Sequence, residues 1–238
     1  MDSYVDGLIN GSYSTGGLVG YGYSEEIRST EVRGVVKSTN EDVGGLIGYQ
    51  GGGLVNSSAF VGVVEGANGV GGLMGYNGAK VTESYAVANV TSSTEYLGNA
   101  DTGGLIGTNG GHLLNSFAIA NVSADYDNVG GLVGRTWENI SKSYAFGNLS
   151  GRNKVGGLIG KVDGESSEVK ISNSYSAVTS LSGNSEIGGF IGNLTSSTVN
   201  DTYWDKEISG LSDSATDNST GLSTSEMQGS SADSNMAG

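Results

Sequence analysis

One histidine, no cysteine and 25 carboxylates bound the chemistry open to this chain of 238 residues. The histidine, His112, stands in Gly110-Gly111-His112, a turn context that places it in an exposed loop. A zinc peptidase needs two histidines four residues apart on one helical face, with a glutamate between them. The chain has no such set, and a His-assisted Ser nucleophile would have only His112 to draw on. Without cysteine there is no disulfide framework, no thiolate and no Cys-ligated zinc. The glycine loops Gly51-Gly52-Gly53 and Gly110-Gly111 lack the Lys-Ser/Thr that follows a phosphate loop, so they read as turns.

The carboxylates are better placed. Asp42, Asp101, Asp127 and Glu186 each precede a Gly-Gly pair by two or three residues, with Glu41 and Asp125 close by. Stacked on one edge they would be candidate calcium ligands, calcium being the one cofactor the sequence suggests. As isolated residues they are turn formers on a solvated edge. Gly69, Asn128 and Lys154 hold the matching places in other repeats and interrupt the row. A paired-carboxylate glycosidase site has no marker of its own. Nine Asn-x-Ser/Thr sites are acceptors for N-glycosylation: Asn10, Asn56, Asn89, Asn121, Asn139, Asn148, Asn193, Asn200 and Asn218.

What positions these residues is a repeat. Gly-Gly-(Leu/Phe)-aliphatic-Gly begins at Gly16, Gly44, Gly71, Gly103, Gly130, Gly156 and Gly188, with gaps of 28, 27, 32, 27, 26 and 32 by subtraction. Units of this length cannot bury an apolar face alone and must stack. A second phrase, aliphatic-x-x-Ser/Thr-(Tyr/Phe), follows in most copies, as in Val81 to Tyr85, Ile140 to Tyr144, Ile171 to Tyr175 and Val199 to Tyr203. A further copy at Ile9 to Tyr13 precedes every Gly-Gly phrase, so the opening repeat reads as half missing and the chain as a piece of something longer.

No segment keeps a 3.6-residue apolar period, and short apolar runs bounded by Gly and Asn read as strands. In Ser84 to Val90 the small residues alternate with large and polar ones. The small set is expected to face inward. In-register stacking at ~4.8 Å per rung then gives ladders. One is Leu18, Leu46, Leu73, Leu105, Leu132, Leu158 and Phe190. Another is an aromatic row of Tyr85, Phe117, Tyr144, Tyr175 and Tyr203, and a shorter one is Tyr21, Tyr49 and Tyr76. The expected fold is all-β, a parallel β-solenoid of about seven coils of ~27 residues with a C-terminal cap. Residues 1–200 form the repeats, 201–228 the cap and 229–238 a disordered tail. Loops should bulge at 92–100 and 161–170.

The net charge of −14 disfavours phosphate backbones and anionic lipid, which argues against a nucleic-acid or membrane partner. No apolar run approaches the ~20 residues of a membrane span.

The two phrases together resemble the GLUG motif, a repeat of bacterial and archaeal surface proteins. The likeness covers about residues 7 to 204, and Tyr203-Trp204-Asp205 with Gly221-Leu222-Ser223 resembles the segment that closes such arrays. The resemblance implies a secreted, cell-surface location, a structural or adhesive role without catalysis, and a surface glycan or protein as partner. Self-association into a filament or sheath by strand addition at a free edge is the alternative. A carbohydrate-active enzyme on a β-helix is the third reading.

Overall fold

The computed structural model describes residues 3–93, 100–164, 169–212, 214 and 217–236. It is a right-through parallel stack: every strand pairing is parallel, and each strand lies beside its counterpart about one repeat away. One coil runs through four segments, as in Ala59–Gly66, Asn68–Gly71, Met74–Asn77 and Lys80–Thr82. The second and third segments build two seven-stranded sheets. The long first and short fourth segments build a 14-stranded sheet, joined where Val169–Ser182 runs through both without a break. This is the parallel β-solenoid of about seven coils that the period implies.

The Gly-Gly-Leu phrase is a corner where two sheets nearly touch. The glycines serve close approach there, since a β-carbon on Gly103 would meet the carbonyl of Ile106 and the backbone of Gly134 in the next coil. Leu46, Leu73, Leu105, Leu132 and Leu158 then point inward and are wholly buried. Each is tied to the next by its backbone, Leu105 N–H donating to Leu132 O at 2.9 Å and Leu132 N–H to Leu158 O at 2.9 Å. Each buried leucine is worth about 1.5–3 kcal/mol of transfer free energy.

The second phrase is the other corner. Ser57, Glu83, Asn115, Lys142, Asn173 and Asp201 all take φ between 49° and 52°, the left-handed region. The serine that follows repairs the turn. Ser116 Oγ donates to Leu114 O at 2.9 Å and accepts the buried N–H of Ser84 at 3.2 Å, and Ser143 does the same one rung on. The serine row therefore satisfies donors that the corner would leave unpaired inside. Along the long strands the alternation holds as expected: Ala86, Ala88, Val90, Ala118, Ala120 and Val122 face inward, while Val87, Asn89, Ile119 and Asn121 face out.

Three expectations need correction. Ser3 pairs with Thr30 and Tyr4 with Glu31, so Ser3-Tyr4, not Ile9 to Tyr13, matches Ser84-Tyr85. Ile9 pairs with Val36 in mid-strand, and the first coil carries all four segments; the phrase at Ile9 to Tyr13 is a coincidence of spelling. The tail read as disordered holds a helix over Gly229–Asn235, tied back by Asn235 Nδ2 donating to Glu226 O at 3.2 Å. Tyr203 pairs with Tyr175 along the backbone but its ring is buried and does not extend the stack of Tyr85, Phe117, Tyr144 and Tyr175. Of the two expected bulges, residues 94–99 and 165–168 lie outside the described residues.

Past the last coil, Asp205 caps the short helix Lys206–Ser209, accepting from the N–H groups of Glu207 and Ile208 at 3.0 and 3.1 Å. Its other oxygen accepts from Thr224 Oγ1 at 2.7 Å. The turn over 224–227 closes through the N–H groups of Glu226 and Met227, both donating to Ser223 O.

Candidate functional site

The four acids proposed for calcium do not assemble. Asp42, Asp101 and Glu186 occupy one register row, each just before a paired residue (Val43, Thr102, Ile187), with Gly69, Asn128 and Lys154 between them. No two of the three lie on adjacent rungs. Asp127 is off that row by one residue, because Val129 rather than Asn128 begins the pairing. It is held by Arg152 Nε at 2.8 Å and Asn153 Nδ2 at 3.0 Å. Among the described residues no group of three His, Cys, Asp or Glu side chains converges on a metal-sized site.

Asp42, Asn128, Lys154 and Glu186 share a left-handed φ of 54° to 61°, so the row is first a row of corners. Burial, reinforced by the charge of Glu41 and opposed by a hydrogen bond from Ser14, pushes the Asp42 carboxyl up to about 6. Its folded pKa thus lies above the unfolded value of ~3.9. The stabilising protonated form is fully favoured below about pH 4 and is lost as pH rises through 6. Asp42→Asn keeps a residue that tolerates left-handed φ. It is expected to stabilise the chain near neutral pH by on the order of 1 kcal/mol, after discounting for the carboxyl's partial contact with solvent. Near pH 4 the gain should vanish, and urea melts at the two pH values check both halves.

A second polar cluster lies nearby. Asp101, 4% exposed, accepts from Asn128 Nδ2 at 2.7 Å and Thr108 Oγ1 at 2.9 Å, and burial raises its pKa despite them. Burial also opposes ionisation of Asp163, yet bonds from Lys161 and Arg135 outweigh it and hold that carboxyl below its usual range. Two carboxyls pushed in opposite directions are the signature of an acid–base pair. Here every carboxyl oxygen already has a protein partner, Asp101 being tied to Thr108 and Asn128 and Asp163 to Arg135 and Lys161. His112 is exposed, as the turn context implies, and its Nδ1 lies 3.4 Å from Glu138 Oε2.

The outer face of the long strands carries three parallel rows along the solenoid axis. The first is the ring row: Tyr85, Phe117, Tyr144 and Tyr175 stack at 5.0, 4.9 and 5.1 Å between centroids, within 9° of parallel. Their faces cover one another, so the row welds rungs together and offers edges outward. Tyr21, Tyr49 and Tyr76 stack in the same way on another sheet. The second row is Val61, Val87, Ile119, Phe146 and Ala177. Val87 and Ile119 are 37% and 46% exposed, high for such side chains in mid-sheet. The third is an amide row in which Asn121 Nδ2 donates to Asn89 Oδ1 at 3.0 Å and Asn148 Nδ2 to Asn121 Oδ1 at 2.8 Å.

The ring row and the three asparagines are legible in the sequence, the latter only as glycan acceptors. They sit on successive rungs, so neighbouring glycans at ~4.8 Å would collide. Asn139 and Asn193 are also engaged, Asn139 Oδ1 accepting from Lys170 N–H and Asn193 Nδ2 donating to Glu186. Asn56 Nδ2 reaches Glu83 at 3.4 Å. Asn10, Asn200 and Asn218 are exposed. What pattern reading missed is the aliphatic row, whose members look like ordinary strand residues until register aligns them. It leads from a shallow groove around Val87 and Ile119 into a cavity of about 610 Å³. That cavity lies between Phe146, Tyr175 and Ala177 on the sheet and Met227, Asp233 and Met236 of the C-terminal segment.

No family model matches the chain, and no curated protein matches it. Among solved structures an IgA1 protease shares the architecture, with a TM-score of 0.58 over 85% of this chain at 19% identity. The chain spans 17% of the length of that protein. The likeness is one of fold.

Proposed function

We propose that this chain is a non-catalytic β-solenoid module of a secreted cell-surface protein, working by presenting the outer face of its long sheet to a surface glycan or protein. The observation that carries this reading is the exposed aliphatic row, Val87 and Ile119, in the middle of a rigid sheet. Two adjoining aliphatic side chains held outward by the strand register offer a partner a fixed apolar contact. The GLUG-like phrases support the location, and the engaged oxygens of Asp101 and Asp163 support a role without catalysis. The acidic charge supports a partner other than nucleic acid or anionic lipid. Beads coated with the chain are expected to be retained on cell layers under flow, and beads carrying Val87→Asp with Ile119→Asp to wash off. Equal retention of the two would remove the proposed face.

A filament remains the second reading, on a specific observation. Leu8, Tyr13, Leu18, Tyr21 and Tyr23 are 64, 67, 41, 64 and 71% exposed, and all lie in the first coil. Leu18 belongs to a ladder whose other members are buried. Addition of another rung there would cover them. Light scattering separates this reading: Leu18→Lys should abolish any concentration-dependent growth in mass, and a monomer at all concentrations would exclude it.

A further inference from the structure

The groove on the long sheet has a chemical character that the adhesive reading leaves unspecified. None of the residues lining it is charged, on a chain of net charge −14. Its floor is aliphatic, through Val61, Val87 and Ile119, and one wall is the amide row of Asn89 and Asn121. An asparagine amide has two N–H donors and an oxygen with two lone pairs. Asn121 uses one of each within its row, leaving one of each for solvent. The two rows run in step over three rungs, Val87 with Asn89, Ile119 with Asn121 and Phe146 with Asn148, at a spacing of ~4.8 Å.

We propose that this groove binds an uncharged linear polysaccharide lying along the solenoid axis. The inference rests on the adhesive reading and names its ligand. A sugar polymer offers what the groove repeats: an apolar C–H face for the aliphatic row and hydroxyls for the spare amide groups. A pyranose unit is about as long as one rung, so successive units meet the same pair of rows. An acidic polymer is repelled by the chain, and a cationic one would give up hydration for a groove without carboxylates. A folded protein partner has no reason to match a period of one rung. Phe146 continues the floor. It is turned 75° and 80° out of the ring stack, edge-on to Tyr144 and Tyr175, and so keeps a face for a sugar at the mouth of the larger cavity.

Titration calorimetry of the whole chain tests this, using gluco-, manno- and xylo-oligosaccharides of one to six units beside hyaluronan oligomers. At least one uncharged series should bind, with affinity rising about tenfold from the single sugar to three units, as each of the three rungs is engaged, and levelling beyond that. Ile119→Asp and the milder Asn121→Ala, both at exposed positions, should each weaken binding at least about tenfold with unchanged circular dichroism. Absence of binding to every uncharged series, preference for hyaluronan, no dependence on length, or indifference to both variants would each overturn the proposal. Cell retention that survives such a result leaves the adhesive face standing with a different ligand. Glycan binding without cell retention removes the adhesive role and keeps the site.

Discussion

Gly131→Ala is expected to cost about 3 kcal/mol or more, the upper end for overpacking a rigid interior. A β-carbon there would run into the carbonyl of Gly157 on the next rung and stand 2.9 Å from the Ala145 methyl on the long strand. Neither neighbour can yield. Gly157 is fixed by its own N–H donating to Gly188 O at 3.0 Å, and Ala145 is wholly buried in the core. Relief would require separating two rungs, which breaks the leucine bonds on both sides. Gly7→Ala is the matched control, with no atom within 4 Å of the new carbon. It should change stability by less than about 0.5 kcal/mol. Urea denaturation of the two variants measures the difference, and equal midpoints would refute the close-packed corner.

Trp204→Ala is expected to lose about 3 kcal/mol and to expose the end of the stack. The indole is 4% exposed and wedged between Gly189 and Gly221, where any β-carbon would strike it. It closes the last coil over the core that Phe190 ends. The loss falls at the lower end of the range of about 3–5 kcal/mol because the Nε1–H is buried without an acceptor, and its removal offsets part of the cost. Trp204→Phe removes that donor and keeps a ring, so it should be far milder. An alanine variant as stable as its parent, or a phenylalanine variant as damaged as the alanine one, would show that the ring does not seal the end. Light scattering should also show Trp204→Ala forming oligomers through the uncovered strands.

The architecture was legible because a solenoid repeats its constraints. The Gly-Gly-Leu phrase recurs because every coil must bring two sheets together at the same place, and the Ser-Tyr phrase recurs because the corner between the short and long strands leaves backbone donors for a hydroxyl to satisfy. Spelling alone misled at Ile9 to Tyr13, where the letters match but Ile9 pairs in mid-strand with Val36. It misled again at Asp127, one residue off the corner row. Register, which no single repeat contains, decides both. The candidate site was harder to read for the same reason. Val61, Val87, Ile119 and Phe146 spell no common phrase, and they become one surface only when the rungs are aligned. The ring row was easy to see and chemically misleading, since Tyr85, Phe117, Tyr144 and Tyr175 spend their faces on one another.

The measurement that tests the central claim most directly is site-specific photocrosslinking on the surface of target cells. A benzophenone side chain is placed at position 119 in one sample and at position 21 in another. Ile119 reports the outer face of the long sheet, and Tyr21 the exposed side chains of the first coil. The account requires crosslinks from position 119 to cell-surface material and none from position 21. Crosslinks from position 21 to a second copy of the chain, with position 119 silent, would contradict it and make the chain a filament subunit.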